Sequence, residues 1–96
     1  MTIFLCDRID RSELAYTFTT ANDPDIIGVE VGLDGNVLID VTMDQRGQIS
    51  VVFDQDGGQM EFELLDLRQV LDKCEHELIV WREQMIAPGG PWEGVQ

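Results

Sequence analysis

Asp54, Asp56 and Gly57 have the spacing that opens a calcium loop, in which carboxylate and carbonyl oxygens surround a hard cation. Counted from Asp54, position 5 is Gly58, position 6 is Gln59 and position 12 is Leu65, so the ligands and turn glycine that complete such a loop are missing. Asp56-Gly57 suits a hairpin turn instead. His76, the single histidine, stands one helical turn from Asp72. A general base needs a neighbouring nucleophile and an orienting carboxylate in a cleft, whereas a charged pair on a helix surface needs only this spacing. With only Cys6 and Cys74 as thiols, far apart in the sequence, His76 completes no zinc site of ordinary ligand spacing. Asp40 and Glu61 could divide acid and base roles as in glycoside hydrolysis, but a flat sheet face excludes no water. There is no phosphate-binding glycine loop, no Gly-x-Ser-x-Gly and no Cys-x-x-Cys. The expectation is a protein without catalytic residues, cofactor or metal.

These carboxylates must be positioned by residues 28–65, which read as four strands of an antiparallel meander. Val29, Val31 and Leu33, then Val37, Ile39, Val41 and Met43, then Ile49, Val51 and Phe53, then Met60, Phe62 and Leu64 recur at period 2, so one face is core. The turns fix the register. Leu33-Asp34-Gly35 and Gln45-Arg46-Gly47 fit three-residue loops with a left-handed glycine last, pairing Val31 with Val37 and Val41 with Val51. A two-residue turn at Asp56-Gly57 pairs Phe53 with Met60 and Val51 with Phe62.

The same registers assemble the opposite face. Glu30, Leu38, Asp54 and Gln59 fall in one row, Asp40, Val52 and Glu61 in the next, and Thr42, Ser50 and Glu63 in a third. Two aliphatic side chains ringed by Glu30, Asp40, Asp54, Glu61 and Glu63 resemble a contact patch with a charged rim, a candidate binding surface for a basic partner. The alternative is that the N-terminal segment covers Leu38 and Val52. His76 and Trp92 are secondary binding candidates; Trp92 follows Pro-Gly-Gly-Pro and either docks on the body or contacts a partner.

The remaining elements supply the other layer. Asp66 reads as the N-cap of a helix over 66–86, with Leu67, Leu71, Cys74, Leu78, Trp81 and Met85 on one stripe, ended by Ala87-Pro88-Gly89-Gly90-Pro91. That stripe should bury Cys74 and Trp81 against the sheet and leave the acidic face open. Residues 1–22 allow two readings. Asp10 and Glu13 at capping-box spacing, with Leu14 and Phe18 as an i, i+4 pair, favour a helix over 11–19, while Leu14, Tyr16 and Phe18 alternating with Ala15, Thr17 and Thr19 fit a strand. The predicted fold is α+β, a single domain over 1–96 with a sheet over 28–65, a helix over 66–86 and a tail over 87–96 that is free or docked.

Nineteen acidic against six basic residues give a net charge of −13, and residues 28–65 hold eight carboxylates against Arg46 alone, a net of −7. Such a field repels nucleic acid and acidic membranes and speeds association with cationic partners, although acidity also serves solubility. With 44% hydrophobic and 26% charged residues, disorder is not expected. No stretch approaches the apolar length of a membrane span, and Ile3-Phe4-Leu5-Cys6 followed by Asp7 is too short for a secretory leader, so a cytoplasmic location is expected. Two cysteines make no disulfide framework; Cys74 reads as a buried thiol, with a single bridge to Cys6 left open.

An acidic meander with Asp-Gly turns from Val29 to Leu64, running into Leu64-Leu65-Asp66-Leu67-Arg68-Gln69-Val70-Leu71 and one long helix, resembles the small cytoplasmic immunity proteins of bacterial toxin–immunity systems, including contact-dependent inhibition. The likeness covers about residues 28–85, in size, acidity and element order, and transfers no functional residue. It implies a non-enzymatic protein that binds and blocks a cognate toxin, often a basic nuclease. Phage-encoded inhibitors such as anti-CRISPR proteins and DNA mimics share these traits and form the alternative within the binding class. A small enzyme, or a structural or regulatory subunit joined as a homodimer through the sheet, are the alternatives outside it.

Overall fold

A computed structural model describes residues 6–20, 23–54 and 59–95. The fold is α+β. Strands β2 (Ala15–Thr19), β3 (Ile26–Leu33), β4 (Asn36–Asp44) and β5 (Ile49–Phe53) form an antiparallel sheet in that order, and α1 (Leu64–Ile86) packs on one face. A parallel pair, β1 (Cys6–Arg8) with β6 (Gln59–Glu61), forms a second, two-stranded sheet.

The sheet has the expected number of strands but not the expected membership. Its fourth strand is Ala15–Thr19, which pairs Tyr16 with Val31 and Phe18 with Val29. The helix favoured over 11–19 shrinks to one 3-10 turn at Arg11–Glu13, in which the Asp10 carboxylate accepts from the Ser12 amide and hydroxyl. Leu14 then turns extended, and the alternation of threonines and aromatics carries the chain as a strand. The segment expected to fill this role, 60–64, lies elsewhere. Gln59–Glu61 pairs with β1, and Leu64 already begins the helix, so neither Phe53 with Met60 nor Val51 with Phe62 is a pair. Val51 faces Val41 alone, as the second turn required.

Residues 55–58, with the expected turn at Asp56-Gly57 and most of the calcium-loop fragment, lie outside the described residues. In the second turn, Gly47 is left-handed and the Asp44 carboxylate accepts from the Arg46 and Gln48 amides. The first turn is tighter than expected. Asp34 and Gly35 both have positive φ, 51° and 81°, which makes a two-residue type I′ loop between Leu33 and Asn36. Continued without interruption, that loop would set Glu30 against Ile39. A bulge at Leu38 absorbs one residue, pairing Val31 with Ile39 and Gly32 with Val37, and core again meets core.

The covered face carries Ile27, Val29 and Val31 of β3 with Ile39, Val41 and Met43 of β4, and α1 buries Val70, Cys74 and Leu78 against them. Trp81 is half-buried and meets the Phe18 ring edge to face, with centroids 5.8 Å apart. The helix starts two residues before the expected N-cap. Glu63 occupies the cap position without a side-chain bond, and Asp66 sits in the first turn, where its charge suits the helix dipole and faces Arg11 at 3.8 Å.

The tail docks. Trp92 is 2% exposed, its amide donates to the Met85 carbonyl and its indole Nε1 donates to the Pro24 carbonyl at 2.8 Å, fastening the helix end to the β2–β3 connection. Arg82 Nε likewise donates to the Gln45 carbonyl in the β4–β5 loop. Among the described residues no helix is long and apolar enough to cross a membrane.

Candidate functional site: the uncovered sheet face

Residues alternate across a strand, so burial of Val29, Val31, Ile39 and Val41 under α1 turns their neighbours outward. The pairings place Thr17, Glu30, Asp40 and Val52 in one continuous row across β2, β3, β4 and β5. Thr19, Gly28, Thr42 and Ser50 form the next row, and Ala15 faces Gly32 on the other side. No described element lies over this face. Its side chains are small or hydroxylated apart from Glu30, Val37, Asp40 and Val52; Val37, expected in the core, is turned to this side by the Leu38 bulge and pairs with Gly32, and Val52 is 60% exposed.

Glu30 and Asp40 are directly opposite each other. Like charges in that position cost a few tenths to about 1 kcal/mol, because their Cβ atoms stand only about 5 Å apart. None of the outward residues named above is basic, and the described cations are engaged elsewhere or lie off the face. Arg8 contacts Glu61 and Glu63, Arg11 contacts Asp66, Lys73 Nζ sits 5.1 Å from the Tyr16 ring centroid, and Arg82 binds Gln45. The face therefore carries two adjacent carboxylates that folding does not neutralise. Beside Glu30 is a shallow depression of about 180 Å³, floored by Gly32 and flanked by Ala15 and Gly35, in which Glu30 is the one charged lining residue. That is smaller than the roughly 300–1,000 Å³ of small-molecule sites and suits a single side chain.

Of the expected surface residues, Glu30, Asp40 and Val52 come together, and Asp54 continues the β5 edge with its amide donating to the Leu38 carbonyl. Leu38 does not join them. It is the bulge residue, and it packs against the core cluster. Glu61 and Glu63 are also displaced, because Glu61 ends β6 in the parallel pair, Glu63 caps α1, and both face Arg8. Trp92 is core, not a contact residue. His76 is exposed on α1.

Three groups have shifted titrations. The Ser12 hydrogen bonds hold Asp10 below the usual carboxylate value, and burial raises Tyr16. Burial also pushes Cys74, a free thiol, up to about 11. Among the described residues no group of three or more His, Cys, Asp or Glu side chains could hold a metal ion. On β5, Val51 and Phe53 share the core parity yet are 41% and 47% exposed, and Leu64, also expected in the core, is 60% exposed at the start of α1. The strand expected to cover this edge lies elsewhere; the helix-forming run from Leu64 is the signal against it. Compared with known proteins, the chain matches no family model, no curated protein and no solved structure.

Proposed function

We propose that this chain is a non-enzymatic inhibitor that binds a basic protein, a bacterial toxin of nuclease type, through the uncovered sheet face. The observation that carries the reading is the Glu30–Asp40 pair. Two carboxylates are held against each other on a solvent-facing sheet with no described cation on that face, at a cost to folding that a cationic partner would remove. The net charge of −13 extends the same attraction to long range. Val52 supplies an apolar contact inside the charged row.

The test is a titration against the product of the adjacent gene. One equivalent should abolish its activity, and association should slow as salt rises from about 0.05 to 0.5 M, since the screening length falls from roughly 14 to 4 Å. An adjacent product that is acidic, or a basic one that the chain does not bind, would remove the reading.

A further inference from the structure

We propose that the outer edge of β5 is a strand-addition site for an extended segment of the partner in which apolar and basic residues alternate; this rests on the basic partner proposed above. The phase of β5 follows from one bond. Asp54 N donates to Leu38 O at 2.8 Å, so Val52 and Ser50, two and four residues back, also direct their backbone groups at β4. The N–H and C=O groups of Ile49, Val51 and Phe53 then point away from the sheet. β5 is the last strand of its sheet, and no described strand pairs with that side.

The side chains of this edge are also uncovered. Val51 and Phe53 are 41% and 47% exposed on the helix side, because α1 rests on β3 and β4, while Val52 is 60% exposed on the other. Ile49-Ser50-Val51-Val52-Phe53 contains no charge and no proline, so it lacks the usual devices that keep an open edge from pairing. At the opposite edge, Tyr16 of β2 is half-buried beside Lys73 of the helix, and Phe18, although 52% exposed, holds its ring against Trp81.

Charge selects the occupant. An added strand would set one side-chain set beside Val51 and Phe53, and the other beside Val52 in the row that already holds Glu30 and Asp40. Strands lie about 4.8 Å apart, so the residue facing Val52 is about 10 Å from the Asp40 backbone, within reach of a lysine or arginine lying over Val52. A second copy of this chain would instead bring another Asp40 and Asp54 against the same row. Backbone bonds would supply affinity, and the alternation specificity.

The probe is a Lys-Val-Lys-Val-Lys-Val-Lys peptide, compared with the same residues in block order and with an alternating Glu-Val peptide, and the readout is amide exchange by NMR. The alternating basic peptide should slow exchange at Val51 and Phe53 at least about tenfold, leaving the Val52 amide, already bonded to β4, unchanged. Val51→Pro or Phe53→Pro, each removing an outward donor together with a half-exposed side chain, should abolish this protection in a chain that stays folded, and Asp40→Lys should weaken the peptide severalfold. Absence of protection, equal protection by the block peptide, or protection already present in the free monomer would overturn the proposal. So would the same protection appearing with self-association. Binding that Asp40→Lys abolishes but that leaves Val51 and Phe53 unprotected would overturn the edge site alone and leave the charge-driven reading standing. Equal protection by the Glu-Val peptide would overturn both.

Discussion

Removing the Trp92 side chain should cost this protein a large part of its stability. A tryptophan buries about 150–250 Å². At about 25 cal/mol per Å² that is roughly 4–6 kcal/mol, an upper bound because unfolded chains already bury some surface. Trp92 is 2% exposed, and its indole N–H is bonded to Pro24, so Trp92→Ala should fall in the range of about 3–5 kcal/mol found for large core truncations. Total stability for a domain of this size is about 5–15 kcal/mol. Trp92→Phe keeps a ring but loses the hydrogen bond and some packing, and should cost about 1–2 kcal/mol. Urea unfolding followed by circular dichroism measures both. A Trp92→Ala loss below about 1 kcal/mol would refute the docked tail and return Trp92 to the surface as a contact residue.

The buried thiol gives a pH dependence with a definite sign. Cys74 titrates at about 11 when folded, against an ordinary 9.0, so nothing changes while both states are protonated, and stability falls as pH rises from about 9 to 11. The loss should approach about 2–3 kcal/mol and be absent in Cys74→Ala; a wild type and variant with the same alkaline slope would contradict it. Leu38→Asp should unfold the protein partially or wholly, costing about 2 kcal/mol or more, because Leu38 packs on the core cluster. A stable, folded variant would return Leu38 to the open face. Gly90→Ala should lower the melting temperature by several degrees, since a Cβ there would overlap the Met85 carbonyl; an unchanged melt would show that the helix exit is loose.

The sequence revealed the covered face well because period 2 is set by backbone geometry alone. Val29, Val31, Ile39, Val41 and Met43 are all core, and the Asp44–Gln48 loop gave the β4–β5 register correctly. Strand membership was harder to read. Residues 60–64 alternate as a strand would, yet Leu64 to Leu71 also satisfies a helix, and α1 claims Leu64. Tyr16 and Phe18 take the vacant place at the opposite edge, where β3 rewards their alternation more than a short helix could. The candidate site divides along the same line. Glu30, Asp40 and Val52 were legible because they sit between paired core residues, whereas Glu61 and Glu63 depended on the fourth strand, and Leu38 on a bulge that follows from the tight turn at Asp34-Gly35.

The central claim is that Glu30 and Asp40 serve a cationic partner at the expense of folding, and the double variant Glu30→Gln, Asp40→Asn tests it most directly. Equilibrium unfolding and stopped-flow association with the basic product of the adjacent gene are measured on the same preparations. The variant should be as stable as the wild type or up to about 1 kcal/mol more stable, because the opposed charges are gone. It should bind severalfold more slowly at low salt, with the difference shrinking as salt rises. A variant that is less stable and associates at the wild-type rate would contradict the claim, since the two carboxylates would then serve the fold and not the partner.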